Sequence, residues 1–110
     1  VCCLLIETPE AVENIDAICA VDGVDVVVLA AFDLSTTMGI SGQFEHPDFK
    51  AACAKVEEAS RRNGVPISGV AFSQEQAKAL FARGYRMIAG FDILWLRANA
   101  SQLTGWCADA

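Results

Sequence analysis

Basic side chains are scarce in this sequence: eight Lys and Arg stand against fourteen Asp and Glu, a net charge of −6. Apart from Arg61-Arg62 the cations are scattered, so no positive stripe exists to neutralise phosphates, and nucleic acid is not an expected partner. Long hydrophobic runs are missing too. The longest, Val26 to Phe32, falls far short of the ~18 residues of a membrane span, so no membrane partner is expected. Histidine occurs once, as His46 before Pro47, without a second His or a Cys at ligand spacing, and it reads as a helix cap or loop residue. The five cysteines (Cys2, Cys3, Cys19, Cys53, Cys107) form no C-x-x-C pair. An odd number flanked by aliphatic residues fits reduced, buried thiols of a cytoplasmic protein better than a disulfide framework. The chain opens on Val1 within an apolar run, without a basic leader, as expected for a sequence that starts inside a larger protein.

The chain has 110 residues, 54% of them apolar, which predicts one globular domain over 1–110. Four short β-branched or aliphatic runs, Val1 to Ile6, Val24 to Leu29, Val65 to Val70 and Tyr85 to Ala89, read as buried strands. Segments of helical periodicity separate them. The first runs Pro9 to Val21, with Thr8 as N-cap and Pro9 at the first helical position. The second runs Pro47 to Asn63, with Ala51, Ala52, Val56 and Ala59 on one face and Gly64 as C-cap. Gln74 to Arg83 opens with a Ser73/Gln76 capping box and ends at Gly84. Ile93 to Trp106 closes the series. Its two tryptophans, Trp95 and Trp106, lie roughly three turns apart and share a face suited to a core or a subunit interface. Strict alternation of strand and helix predicts an α/β fold of four β-α units with parallel strands. The stretch from Asp33 to Glu45, with Gly39 and Gly42, reads as a long loop, a length that usually signals function or mobility.

In such sheets the ligand side is the carboxyl end of the strands. Glu7 follows the first strand and Asp33 follows the second, one β-α-β repeat later. Two carboxylates at equivalent ends of adjacent strands suit a hard divalent cation, Mg²⁺ or Mn²⁺, with water or substrate oxygens filling the remaining positions. The same acids also suit a helix N-terminus and a turn, so spacing alone leaves both readings open.

Around these residues the chain resembles the HpcH/HpaI family of class II pyruvate aldolases, which includes 4-hydroxy-2-oxoheptanedioate aldolase. The likeness rests on "IETPEAVENIDAICAVDGVDVVVL", then on "FDLSTTMGISGQFEHPDF" and "ARGYRMIA". It implies the C-terminal half of a TIM (β/α)8 barrel, with Glu7 and Asp33 as metal ligands and with Phe32 and Asp33 beside a 2-oxo acid. It further implies a metal-dependent lyase that cleaves 4-hydroxy-2-oxo acids to pyruvate and an aldehyde. The family's catalytic arginine and histidine belong to its N-terminal half, so no catalytic residue is assigned here, and the 110 residues alone are expected to be inactive. Where the family reads G-P-A-D-L-S, this chain has Ala30-Ala31-Phe32-Asp33-Leu34-Ser35, and Leu5 stands where many members carry Gln. Alternatives are an acyl-CoA lyase resembling the citrate lyase β subunit, or a non-catalytic remnant of the same fold. A half barrel leaves two sheet edges open, so a homo-oligomer, or pairing with an N-terminal half, is expected.

Overall fold

The computed structural model describes residues 1–108. Four strands, β1 (Cys3–Ile6), β2 (Val26–Leu29), β3 (Ile67–Val70) and β4 (Met87–Ala89), form one parallel sheet in the order β1-β2-β3-β4. Each strand thus pairs with the next in sequence, as right-handed β-α-β crossovers produce. Register puts Leu5 beside Val28, Val28 beside Ser68 and Ser68 beside Met87. Because side chains alternate along a strand, these four form a row on one face. Ile6, Val27, Leu29 and Ile67 occupy the other face and join the core.

That core is made with the helices. α1 (Pro9–Glu13) and α2 (Ile15–Cys19) replace the single helix expected from Pro9 to Val21. Asn14 separates them at φ −92 and ψ 10, and its side-chain amide donates to the Glu10 carbonyl. Such local side-chain bonding competes with a regular helix. α4 (Pro47–Asn63) has the expected bounds, with His46 as N-cap and Gly64 in the left-handed region at φ 70, where a β-carbon would be strained. It buries Phe49, Cys53, Val56, Ala59 and Ser60; Ala51 lies off that face and is exposed. α5 (Gln74–Ala82) is capped by Ser73, whose Oγ accepts from the Gln76 amide at 3.2 Å. Gln76 returns a bond one residue further out than a capping box would, to the Phe72 amide at 2.8 Å.

The largest departure from expectation lies between Asp33 and Glu45. Its beginning is helical: α3 spans Ala31–Thr37. Leu34 and Ser35, both fully buried, pin it to the core. The hydroxyls that weaken helices when they compete with the backbone here point back along it. Ser35 Oγ and Thr36 Oγ1 donate to the Phe32 carbonyl at 2.8 and 2.9 Å. Residues 38–46 form an ordered loop tied to α3 through Ser35 Oγ, which accepts from the Gly42 amide at 3.0 Å.

α6 (Asp92–Ala108) buries nothing. Trp95, Leu96, Leu103 and Trp106 are all more than half exposed. In a β/α barrel the helix after a strand packs against that strand and the following one. β4 is the last strand among the described residues, so α6 lacks half of its seat. Principal extents of 58 × 30 × 22 Å and a radius of gyration of 16.3 Å, against about 13 Å for a compact chain of this length, reflect this standing helix. Both edge strands, β1 and β4, are unpaired on their outer sides among the described residues.

Burial of the thiols follows the same division. Cys19 and Cys53 are buried as expected, whereas Cys2, Cys3 and Cys107 are exposed because they sit on the sheet edge or on α6. Among the described residues no helix is long and apolar enough to cross a membrane.

Candidate active site

A groove of about 910 Å³ opens at the carboxyl ends of the four strands. Each strand contributes to it: Leu5 from β1, Val28 and Leu29 from β2, Gly69 and Val70 from β3, and Ala89 from β4. The segments that follow supply Phe32 and Asp33, then Phe72, then Phe91. This is the end where parallel α/β sheets bind their ligands.

Phe32 and Asp33 line the groove from the first turn of α3, where the leading amides lack intrahelical acceptors. Glu7 is outside its lining and sits on the next strand end. Ile6, just before it, pairs with Leu29, and the Ala30 amide donates to the Ile6 carbonyl at 3.2 Å. Thr37 Oγ1 donates to the Glu7 carbonyl at 2.7 Å, so α3, which carries Asp33, also clamps the backbone of Glu7. Glu7 thus lies one residue past β1 and Asp33 four residues past the neighbouring β2, inside α3, and the two share one support.

Among the described residues neither carboxylate enters a salt bridge or a side-chain hydrogen bond. No cluster of three or more His, Cys, Asp or Glu exists there either. Two carboxylates would suit the donor chemistry of Mg²⁺ or Mn²⁺, which retain water or take substrate oxygens, better than that of zinc. His46 does not join them. Its Nδ1 accepts from the Asp48 amide at 3.2 Å, a capping role.

Sequence reading did not single out Phe72, Phe91, Lys50 or Arg83, all of which line the groove. For the phenylalanines a signal existed, since each stands two residues past the end of its strand. Lys50 and Arg83 come from α4 and the end of α5, and nothing in their spacing marks them. Both are engaged: Lys50 Nζ lies 2.5 Å from Glu45 Oε2, and Arg83 pairs with Glu57. Glu57 Oε1 also accepts from the buried Tyr85 hydroxyl at 2.8 Å. Burial foremost, and then this bond to a carboxylate, hold the Tyr85 phenol far above its ordinary range. Burial likewise pushes the Cys53 thiol up to about 11, with Glu57 adding to the effect.

The family model for HpcH/HpaI aldolase/citrate lyase matches residues 1–98. A 4-hydroxy-4-methyl-2-oxoglutarate aldolase of Chaetomium globosum is 48% identical over 61 residues, which cover 56% of this chain and 23% of that protein. A hydroxypyruvate/pyruvate aldolase of Cupriavidus necator is 37% identical over 108 residues, covering 91% of this chain and 38% of that one. The crystal structure of an HpcH/HpaI aldolase from Desulfitobacterium hafniense superposes with a TM-score of 0.84 at 32% identity, over 98% of this chain and 42% of that one. The chain thus spans less than half the length of the relatives it matches, as half of a TIM barrel does. Four consecutive parallel β-α units, acids on two adjacent strand ends and a match running almost end to end all converge: the chain belongs to the HpcH/HpaI aldolase/citrate lyase family.

Proposed function

We propose that this chain forms the metal- and pyruvate-holding half of a lyase that cleaves 4-hydroxy-2-oxo acids to pyruvate and an aldehyde. The observation that carries the reading is the placement of Glu7 and Asp33 on neighbouring strand ends, unpartnered among the described residues, with Phe32 and Asp33 in the groove wall. Glu7 and Asp33 would hold Mg²⁺ or Mn²⁺, which would supply Lewis-acid stabilisation of negative charge on the 2-oxo oxygen.

The chain's own residues bind and orient. Asp33 is set by α3, itself anchored through buried Leu34 and Ser35. By the family resemblance, the amides of Phe32 and Asp33, in the first turn of α3, would donate to a substrate carboxylate. The exposed Phe32 ring stands in the groove wall beside Asp33.

Proton transfer needs other groups. His46 is spent on a cap, and Lys50 and Arg83 are paired with Glu45 and Glu57. By the family resemblance, which puts the catalytic arginine and histidine in the N-terminal half, the base comes from such a half or from an oligomeric partner, docked on the open edges of β1 and β4 and on the tryptophan face of α6. Reduced Cys residues are in keeping with a cytoplasmic setting for such an enzyme.

Titration with Mn²⁺, followed by its electron paramagnetic resonance signal, tests the reading. Binding that is lost in Glu7→Gln and in Asp33→Asn supports it. Failure of the wild-type chain to bind Mn²⁺, alone and with pyruvate, would leave a non-catalytic member of the fold.

A further inference from the structure

Five of the chain's six phenylalanines line one groove, and Phe49 alone among those five is buried. Phe44 rests on it with ring centroids 5.5 Å apart. Phe32, Phe72 and Phe91 are 61%, 63% and 49% exposed, each on the segment leaving a different strand. They lie beyond the strand ends, at the mouth, rather than on the inner row of Leu5, Val28, Ser68 and Met87 that further strands would cover. Packing of the core does not call for them. Exposed aromatic residues gathered in one concavity mark a binding surface rather than scattered surface apolarity.

Charge narrows what binds there. The cations lining the groove are Lys50 and Arg83, and each is already matched, by Glu45 and by Glu57. Glu45 is thereby offset by Lys50, and Asp33 alone adds uncompensated negative charge to the same wall. A ligand carboxylate entering the phenylalanine side would lose water and meet Asp33 without an unpaired cation among the described residues. A neutral ring or alkyl group would meet a wall lined by aromatic side chains.

Building on the aldolase reading, we infer that the aldehyde half of the substrate, the part remote from the 2-oxo acid, is neutral and apolar, aromatic or branched, and that Phe72 and Phe91 select it. This separates the chain from enzymes whose acceptor ends in a second carboxylate. Phe32 lies nearest the 2-oxo acid end because Asp33 adjoins it, which leaves Phe72 and Phe91 as the walls for the distal group.

The test compares two unreactive alcohols that stand in for the two kinds of aldehyde, benzyl alcohol and 4-hydroxybutyrate, by saturation-transfer NMR on the 110-residue chain. Benzyl alcohol is expected to receive saturation and 4-hydroxybutyrate little. Phe72→Ala and Phe91→Ala, both at exposed positions, should each weaken the benzyl alcohol contact about three- to tenfold, the loss of one aromatic partner. Phe72→Lys supplies the cation the groove lacks and should bring 4-hydroxybutyrate in. Equal or stronger binding of 4-hydroxybutyrate by the wild-type chain, or benzyl alcohol binding indifferent to both alanine variants, overturns the inference. Mn²⁺ added to the same samples reports the metal reading separately. Probe binding that depends on the phenylalanines but shows no Mn²⁺-induced relaxation sinks the metal site and upholds the apolar pocket.

Discussion

Up to β3 nearly every element buries something; after it, Tyr85 is the only buried side chain among the described residues. Both regions are rich in apolar residues, so composition does not separate them. Position does. α4 lies between β2 and β3 in sequence and packs against α1 and α2 as well, whereas α6 follows the last strand and has no next strand to rest on. A barrel helix is held by two strands and its neighbouring helices, and its amphipathic pattern yields stability only when they are present.

The sharpest way to break this contrast is a pair of alanine substitutions read by urea unfolding. Ile15→Ala, at a fully buried position, should cost about 2–5 kcal/mol. Leu96→Ala, on exposed α6, should stay within about 0.5 kcal/mol. Comparable losses at the two sites would mean that α6 packs in solution.

Next in size is Tyr85→Phe, which tests the one deep anchor of the second region. Its hydroxyl donates to Glu57, and Gly69 makes room for the ring, since a β-carbon there would come within 2.9 Å of Tyr85 Cε1. A loss of about 1–3 kcal/mol is expected for a buried bond to a charged acceptor, again by urea unfolding. No loss would show that β4 is held by its ladder to β3 alone.

Ser68 probes the boundary between the regions. It is fully buried, and its hydroxyl has no hydrogen-bond partner among the described residues. Ser68→Ala should therefore raise the stability of the chain by about 1 kcal/mol, because an unsatisfied buried hydroxyl is removed at little cost in packing. Destabilisation on thermal melting would reveal a partner.

The smallest effects concern titration. Cys53, raised to about 11 by burial first, remains a thiol at pH 8, so iodoacetamide should label Cys2, Cys3 and Cys107 while sparing Cys53 and Cys19. Its folded-state value exceeds the unfolded one, so the associated stability is complete below about pH 9 and is lost as pH rises toward 11. Asp16 behaves in the opposite sense. Hydrogen bonds from Arg62, then Asn63, lower its pKa, so its contribution is present above the ordinary carboxylate range and fades as the pH falls through the lowered value. Both partners are more than half exposed, so Asp16→Asn should only slightly flatten the acid side of a melting-temperature profile.

Strands and most helix limits were legible because each carries a local mark: β-branched runs for the sheet, and Thr8, His46, Ser73 and Gly64 for the helix ends. α3 was not, because Ser35, Thr36 and Thr37 in a row read as loop until a buried Leu34 and a clamp on Glu7 give them tertiary reasons to coil. Of the two acids named from the sequence, Asp33 lines the groove and Glu7 lies beside it on the neighbouring connection, outside the lining. The aromatic wall was legible only in part: Phe72 and Phe91 each stand two residues past a strand, whereas Phe44 comes from a separate connection and joins the same groove only once the sheet has formed.

Consecutive strand order also bears on how the chain folds. Cys3 pairs with Val26, Val27 with Ile67 and Ser68 with Met87, so every ladder closes within one β-α unit and none waits for a distant segment. Loop closure is the entropic barrier that slows parallel sheets, and here it is met in short instalments. During synthesis, which runs from the N-terminus at about 5–20 residues per second, β1 and β2 can pair before β4 has been made. Assembly then proceeds by accretion, and each new unit finds a surface already waiting except the last, α6, which buries none of its residues among those described.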